Sequence, residues 1–158
     1  MCKDIEIRNI EIEDINDVTE FISKMYKDTN NLSVTQMYDN INLVQARFAQ
    51  KIERGCIALI KDQIIGIFTL LSPTMDNYWT VGILNVENTY RRKRIATSMQ
   101  QHVEKDLLSY YNKIKISSTI KKNNKEGLLF LVMNDYQFEG NVRGLTNEKD
   151  IYIVGKTL

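Results

Sequence analysis

The sequence predicts a single α+β domain in which about four helices flank a central, mixed but mostly antiparallel sheet of about seven strands. Three observations carry this. Apolar residues recur at helical spacing through the first third, β-rich runs joined by a short polar turn fill the middle, and strand and helix alternate from there on. Strands joined by a tight turn pair antiparallel, whereas a strand–helix–strand unit brings two strands parallel, so the sheet is expected to be mixed. The chain has 158 residues, one proline (Pro73) and no Ser/Gly-rich linker, repeat or low-complexity tract, so residues 1–158 are expected to share one core.

Ile5-Glu6-Ile7-Arg8 alternates apolar and charged side chains and reads as a strand. After Asp14, a candidate N-cap, Ile15, Val18, Ile22 and Met25 follow at helical spacing. Ser33-Val34-Thr35-Gln36 has the form of a capping box, in which the Ser and Gln side chains satisfy free amides at a helix start. One helix is expected to run on from it with Met37, Ile41, Val44, Phe48 and Ile52 as its stripe, stopping at Gly55. Cys56–Ile60 and Ile64–Leu71 read as strands of a hairpin turning at Lys61-Asp62-Gln63, and Pro73 closes the second. Trp79–Val86 is a third strand of this group, followed by a helix carrying Ile95, Met99, Val103 and Leu107. Lys113–Ile120 alternates, with Ile114, Ile116 and Ile120 on one face. The run Leu128–Met133 fits strand or helix by period, and its Leu, Phe and Met content favours helix, extending over Glu126–Tyr136. Phe138–Leu145 and Asp150–Lys156 are two closing strands.

Composition narrows the function classes. The net charge of +1 provides no overall field toward nucleic acid or membrane, so any basic function must be local. No apolar run approaches the roughly 20 residues that span a bilayer, and Met1-Cys2-Lys3-Asp4-Ile5-Glu6 does not read as a signal peptide. Cys2 and Cys56 lie far apart and the chain has one histidine, too few ligands for the usual zinc site, so no metal is expected. Free thiols fit a reducing cytoplasm.

The most informative stretch is Leu84-Asn85-Val86-Glu87-Asn88-Thr89-Tyr90-Arg91-Arg92-Lys93-Arg94-Ile95-Ala96. A strand enters a short basic loop, and the loop opens an amphipathic helix. The first turn of a helix presents unpaired amides and the positive end of the macrodipole, a natural seat for phosphate, and four consecutive cations add to it. On these residues the segment resembles the acetyl-CoA loop of the GNAT superfamily of N-acyltransferases, roughly V-x-P-x-Y-R-G-K-G-I-G/A. Val86, Tyr90, Arg91, Lys93, Ile95 and Ala96 match in register, and the element order resembles that fold across nearly the whole chain. Arg94 stands at the central glycine and Asn88 at the proline.

The resemblance implies acetyl-CoA as cosubstrate and an amine acceptor, a small molecule or a peptide. It implies that Arg91, Arg92, Lys93, Arg94, Ile95, Ala96 and Thr97 hold the pyrophosphate, and that the backbone of Leu84 and Val86 pairs with the pantetheine arm. Asn124, in the Asn123-Asn124 pair before the next helix, is a further expected cofactor contact. The family's general-acid tyrosine falls at Met133, which cannot donate a proton, and Gln137-Phe138 stands where Gly-Phe is usual. Tyr136 is the nearby hydroxyl that could substitute, and Glu87, on the same strand face as Asn85, is the candidate general base.

Plainer readings stand beside these. Arg91–Arg94 also fits a solvated turn or a nucleic-acid patch, and Glu87 an ordinary surface carboxylate. His102 reads as a helix-surface residue and Cys56 as core packing; Tyr78-Trp79 fits either an acceptor pocket or the core, and Tyr110-Tyr111 a helix end. Three functions follow in order: an N-acetyltransferase, a CoA-binding or interaction module on the same fold, and a small nucleic-acid binder. Neither nucleic acid nor membrane is the expected partner, and a homodimer is allowed for. The acceptor would be shaped by residues 26–48 and 72–79, which carry no acidic concentration.

Overall fold

A computed structural model describes residues 5–27, 32–74, 77–146 and 149–158. Cys2 lies outside the described residues, as do the side chains of Ser33 and Thr35 and parts of both acceptor segments. Among the described residues the chain forms seven strands and five α-helices. The strands are β1 (Glu6–Asn9), β2 (Glu53–Ile60), β3 (Gln63–Leu71), β4 (Tyr78–Val86), β5 (Lys115–Lys121), β6 (Gln137–Thr146) and β7 (Lys149–Thr157). The helices are α1 (Ile15–Tyr26), α2 (Leu32–Tyr38), α3 (Ile41–Ala49), α4 (Ile95–Leu108) and α5 (Lys125–Met133). All seven strands join one sheet in the order β1-β2-β3-β4-β5-β7-β6. Only β4 and β5 run parallel, because α4 carries the chain back between them.

The helical stripe from Met37 to Ile52 is two helices, not one. Asn40 leaves the helical region (φ −103°, ψ 98°), and its side chain accepts the Leu43 amide, capping α3. A local Asn cap outbids the continuing apolar period. Gly55 stops no helix: it lies inside β2, where a Cβ would collide with the Phe68 carbonyl oxygen across the ladder. The helix ends instead at Ala49, with Gln50 as its C-cap and Lys51 just beyond it at φ 58°. Asp14 precedes α1 but makes no side-chain cap. Its carboxylate takes both guanidinium nitrogens of Arg8, at 2.6 and 2.8 Å, and the Glu11 amide. That pairing holds the Asp14 carboxyl below its ordinary range.

The hairpin turns where the sequence places it but with two residues rather than three: Lys61 and Asp62 both take positive φ, and Gln63 already pairs with Ile60 as the first residue of β3. Met133 ends α5, so Tyr136 stands beyond the helix.

Two apolar cores sandwich the sheet. One packs Ile15, Val18, Phe21 and Ile22 of α1, Tyr38 of α2 and Val44 of α3 against Ile57, Ile67 and Ile83. The other packs Ile95, Met99, Val103 and Leu107 of α4 against Ile65, Phe68, Trp79 and Ile116, and includes Cys56 and Tyr136. Alternation along β4 therefore points Ile83 toward α1 and Leu84 and Val86 toward α4.

Polar groups are also buried. Beneath α2 and α3 the Glu53 carboxylate is fully enclosed, bonded to the Tyr38 hydroxyl and to Arg47 Nε at 2.8 Å. Burial and that carboxylate push the Tyr38 hydroxyl well above its ordinary pKa. Behind α4, Lys156 Nζ bridges Glu104 at 2.7 Å and the Asn134 carbonyl at 3.1 Å, tying β7 to α4 and to the end of α5.

Candidate active site

The site begins with a defect in the sheet. β4 has nine residues, but only Tyr78, Trp79 and Thr80 pair with β5, opposite Lys115, Ile116 and Ser117. Past Thr80 the two strands part, and among the described residues no strand pairs with the β4 edge from Val81 to Val86 on that side. The register of β3 against β4 slips here, with Thr69 opposite Ile83 and Leu70 opposite Val81, so Gly82 is an extra residue. A Cβ at Gly82 would sit 2.6 Å from Thr69 Oγ1, so the bulge needs glycine.

Glu87 N donates to Ile65 O at 2.8 Å on the β3 side. With a period of two, the amide and carbonyl of Leu84 and Val86 turn to the open edge. The Val86 carbonyl is reached there by Arg91 Nε at 3.0 Å, which folds the loop back onto the strand end.

At the mouth of the wedge lies a groove of about 800 Å³, within the usual range for small-molecule sites. Val86, then Asn88, Tyr90, Arg91, Arg92 and Arg94 of the loop, and Ile95, Ala96 and Thr97 supply one wall. Glu126, Leu129, Phe130 and Met133 of α5 supply the other. Arg92 and Arg94 both take positive φ, 60° and 62°, a conformation glycine adopts freely and other residues at a cost of about 1 kcal/mol. The loop thus keeps a glycine-type shape without glycine. Both side chains are exposed rather than packed into the cradle; Arg92 is 92% exposed. Arg94 is the N-cap residue of α4 and makes no side-chain cap, so the first-turn amides keep their donors for a ligand. Lys93 lies over the Tyr90 ring, 5.2 Å from its centre.

The expected residues divide. Arg91, Arg92, Arg94, Ile95, Ala96, Thr97 and Val86 all line the groove, whereas Lys93, in the same loop, does not. Leu84 contributes its free backbone edge. Asn124 does not line the groove; its Oδ1 accepts the Gly127 amide and caps α5. Tyr136 is buried at 3% exposure, with its hydroxyl directed into the α4 core near Glu104, and does not line the groove either. Burial, followed by the Glu104 charge, raises its pKa. Met133, 73% exposed, does face the groove.

Glu87 follows Val86 on the α1 side of the sheet, where its carboxylate takes Lys24 Nζ of α1 at 3.1 Å. Asn85 Oδ1, two residues back along β4, is buried without a hydrogen-bond partner among the described residues. His102 is half-buried and bonds Asn9 at 2.9 Å, away from the groove. Trp79 is core and meets Tyr111 edge-on at 6.2 Å. The α5 wall is what sequence reasoning missed, although Leu129 and Met133, four apart, already share a helix face with Glu126.

No family model and no curated protein matches the chain. Solved structures do. The chain is similar to PaiA N-acetyltransferase of Thermoplasma acidophilum, solved in complex with coenzyme A, at TM-score 0.76 and 18% identity, covering 98% of this chain and 99% of that one. It is similar to a GNAT-family acetyltransferase of Streptococcus pneumoniae at TM-score 0.80 and 14% identity, covering 98% and 99%. It is also similar to the ribosomal-protein-S5-alanine acetyltransferase of Vibrio fischeri at TM-score 0.76 and 11% identity, covering 99% and 94%. The chain has the GNAT acetyltransferase fold. No helix among the described residues is long and apolar enough to cross a membrane.

Proposed function

We propose that this chain, built on the GNAT fold, is an N-acetyltransferase that passes an acetyl group from acetyl-CoA to an amine. The observation that carries the reading is the continuity of the wedge and the cradle. The unpaired edge of β4 leads directly into a cationic loop and the free first-turn amides of α4. Together they match an extended, amide-bearing chain ending in a pyrophosphate.

In this reading the amides of Ile95, Ala96 and Thr97 take the pyrophosphate oxygens, with Arg92, Lys93 and Arg94 adding charge from the rim. Arg91 holds the loop to the Val86 carbonyl. The Leu84 backbone takes the pantetheine arm as an added strand, and an amide of this open edge stabilises the developing oxyanion. Leu129, Phe130 and Met133 cover the arm and exclude water. The thioester supplies an already reactive acyl carbonyl, so the protein's main contribution is alignment. Glu87 accepts the proton of the attacking amine. Met133 gives no proton to the departing sulfur and Tyr136 is too enclosed to do so, so that proton comes from solvent.

A primary amine is the acceptor class, and the acetylation of a ribosomal-protein alanine by the Vibrio fischeri neighbour makes peptide N-termini the first acceptors to try. One observation favours a second reading, a CoA-binding module without turnover: the groove carries Met133 where a proton donor would serve the leaving thiolate. Calorimetry with CoA, then free-thiol release from acetyl-CoA against a panel of amines and peptides, separates them. Absence of binding at millimolar CoA refutes both; binding without thiol release refutes the enzyme.

A further inference from the structure

The candidate general base already holds an amine, and it belongs to the protein. Lys24 stands in the last turn of α1, and Ile22 of that turn is buried in the core beneath β4 while Met25 packs against it. The helix is therefore fixed, and only the Lys24 side chain, 65% exposed, is free to move. Its Nζ lies 3.1 Å from Glu87 Oε1, a single ion pair that solvent and salt compete with. Among the described residues the β4–β5 ladder stops at Thr80, so no strand pairing closes the edge of β4 that carries Leu84. Two residues before Glu87 on β4, Asn85 Oδ1 lacks a donor among the described residues, and a buried acceptor without one is costly.

We propose that Lys24 is an acceptor of this site, so that the protein acetylates itself there. The inference rests on the acetyl-CoA reading above. Glu87 takes a proton from the Lys24 ammonium, and the freed amine swings along β4 past Asn85 to the thioester carbonyl. A C–N bond forms, the C–S bond breaks, and the sulfur leaves as thiolate and is protonated from water. The second amine proton passes to solvent. The products are Nε-acetyl-Lys24 and free CoA, with no change of oxidation state.

Modification cancels the Lys24 charge and ends the ion pair, which leaves the Glu87 carboxylate open to an outside amine. Until then Lys24 occupies the place such an amine would take. Self-acetylation is therefore a first turnover that unmasks the base.

The test incubates the full chain with acetyl-CoA and no added amine, and follows intact mass and peptide maps. The expected result is one acetyl group at Lys24, gained at a first-order rate that dilution of the protein does not change. Lys24→Arg abolishes that acetyl group, and Glu87→Gln slows its appearance by about 100-fold, the scale of lost base catalysis. Lys24 acetylation no faster than that of the exposed Lys105, or a rate proportional to protein concentration, overturns the proposal. Calorimetry on the same sample keeps the two failures apart: acetyl-CoA bound with Lys24 unmodified sinks the self-acetylation alone, and no binding sinks the reading beneath it as well.

Discussion

Replacing Arg94 with glycine sets two effects of the same residue against each other. Arg94 holds φ 62° and ψ 13°, so the free protein bears the left-handed cost of a side chain, about 1 kcal/mol, which glycine removes. Glycine's greater freedom when unfolded returns roughly 0.5 kcal/mol of that. The variant is thus expected to gain about 0.5 kcal/mol, raising Tm by roughly 1–2 °C for a domain of this size. CoA affinity moves the other way. An exposed guanidinium on a phosphate contributes about 1 kcal/mol at low salt, so Arg94→Gly should bind CoA about fivefold more weakly. That difference should fade as salt rises past roughly 0.5 M, where screening is short-ranged. Thermal melts of the free protein and calorimetric CoA titrations at several salt concentrations measure both. Tighter CoA binding in the variant, or a penalty indifferent to salt, would refute the reasoning and mean that the arginine crowds the cradle.

Glu126 lines the groove opposite the cationic loop, 3.9 Å from Arg92, and opposes an incoming phosphate; Glu126→Gln should tighten CoA two- to threefold in the same titration. Glu53 is fully enclosed and takes both Tyr38 and Arg47, so Glu53→Ala should cost about 2–3 kcal/mol in urea unfolding by removing the partner of the half-buried Arg47 and one acceptor of the buried Tyr38 hydroxyl. Because Asp14 is held below its unfolded pKa of 3.8, its pairing with Arg8 is fully present above that value and lost as pH falls through the folded value. The stability gap between the protein and Arg8→Ala, under about 1 kcal/mol since the pair is partly exposed, should be constant from pH 5 to 7 and shrink below pH 4. The Cys56 thiol, enclosed with its pKa pushed up by burial and by Asp106, should react with a disulfide reagent only at the rate of opening of the β2 core.

What the sequence made legible was local and periodic. The capless strand-to-helix run from Leu84 to Ala96 and the α4 stripe depend on neighbours within a turn or a pleat and are where the pattern put them, while the turn expected over Lys61-Asp62-Gln63 closes one residue sooner, at Lys61-Asp62. The break at Asn40 was missed because the apolar period carries across it, and only the Asn side chain reports the cap. Gly55 was misplaced because a stop for a helix and a close approach between strands call for the same residue. The site divides along the same line. The loop wall follows from contiguous residues, whereas the α5 wall and the Lys24–Glu87 pair, 63 positions apart, exist only through tertiary packing. Asn124 and Tyr136 fell to competing demands, one to capping α5 and the other to filling the core beside Glu104.

The three-residue seam between β4 and β5 has a mechanical consequence. Strands β1 to β4 and strands β5 to β7 are two plates joined along one side of the sheet by Tyr78–Thr80 against Lys115–Ser117. Trp79, buried at 1% exposure at the middle of that joint, acts as its pin. Any molecule seated in the wedge serves as a rivet across both plates and should stiffen them together, far from the atoms it touches. Loosening the pin should let the plates part more easily, so that damage at a residue outside the groove is felt as a loss of grip within it.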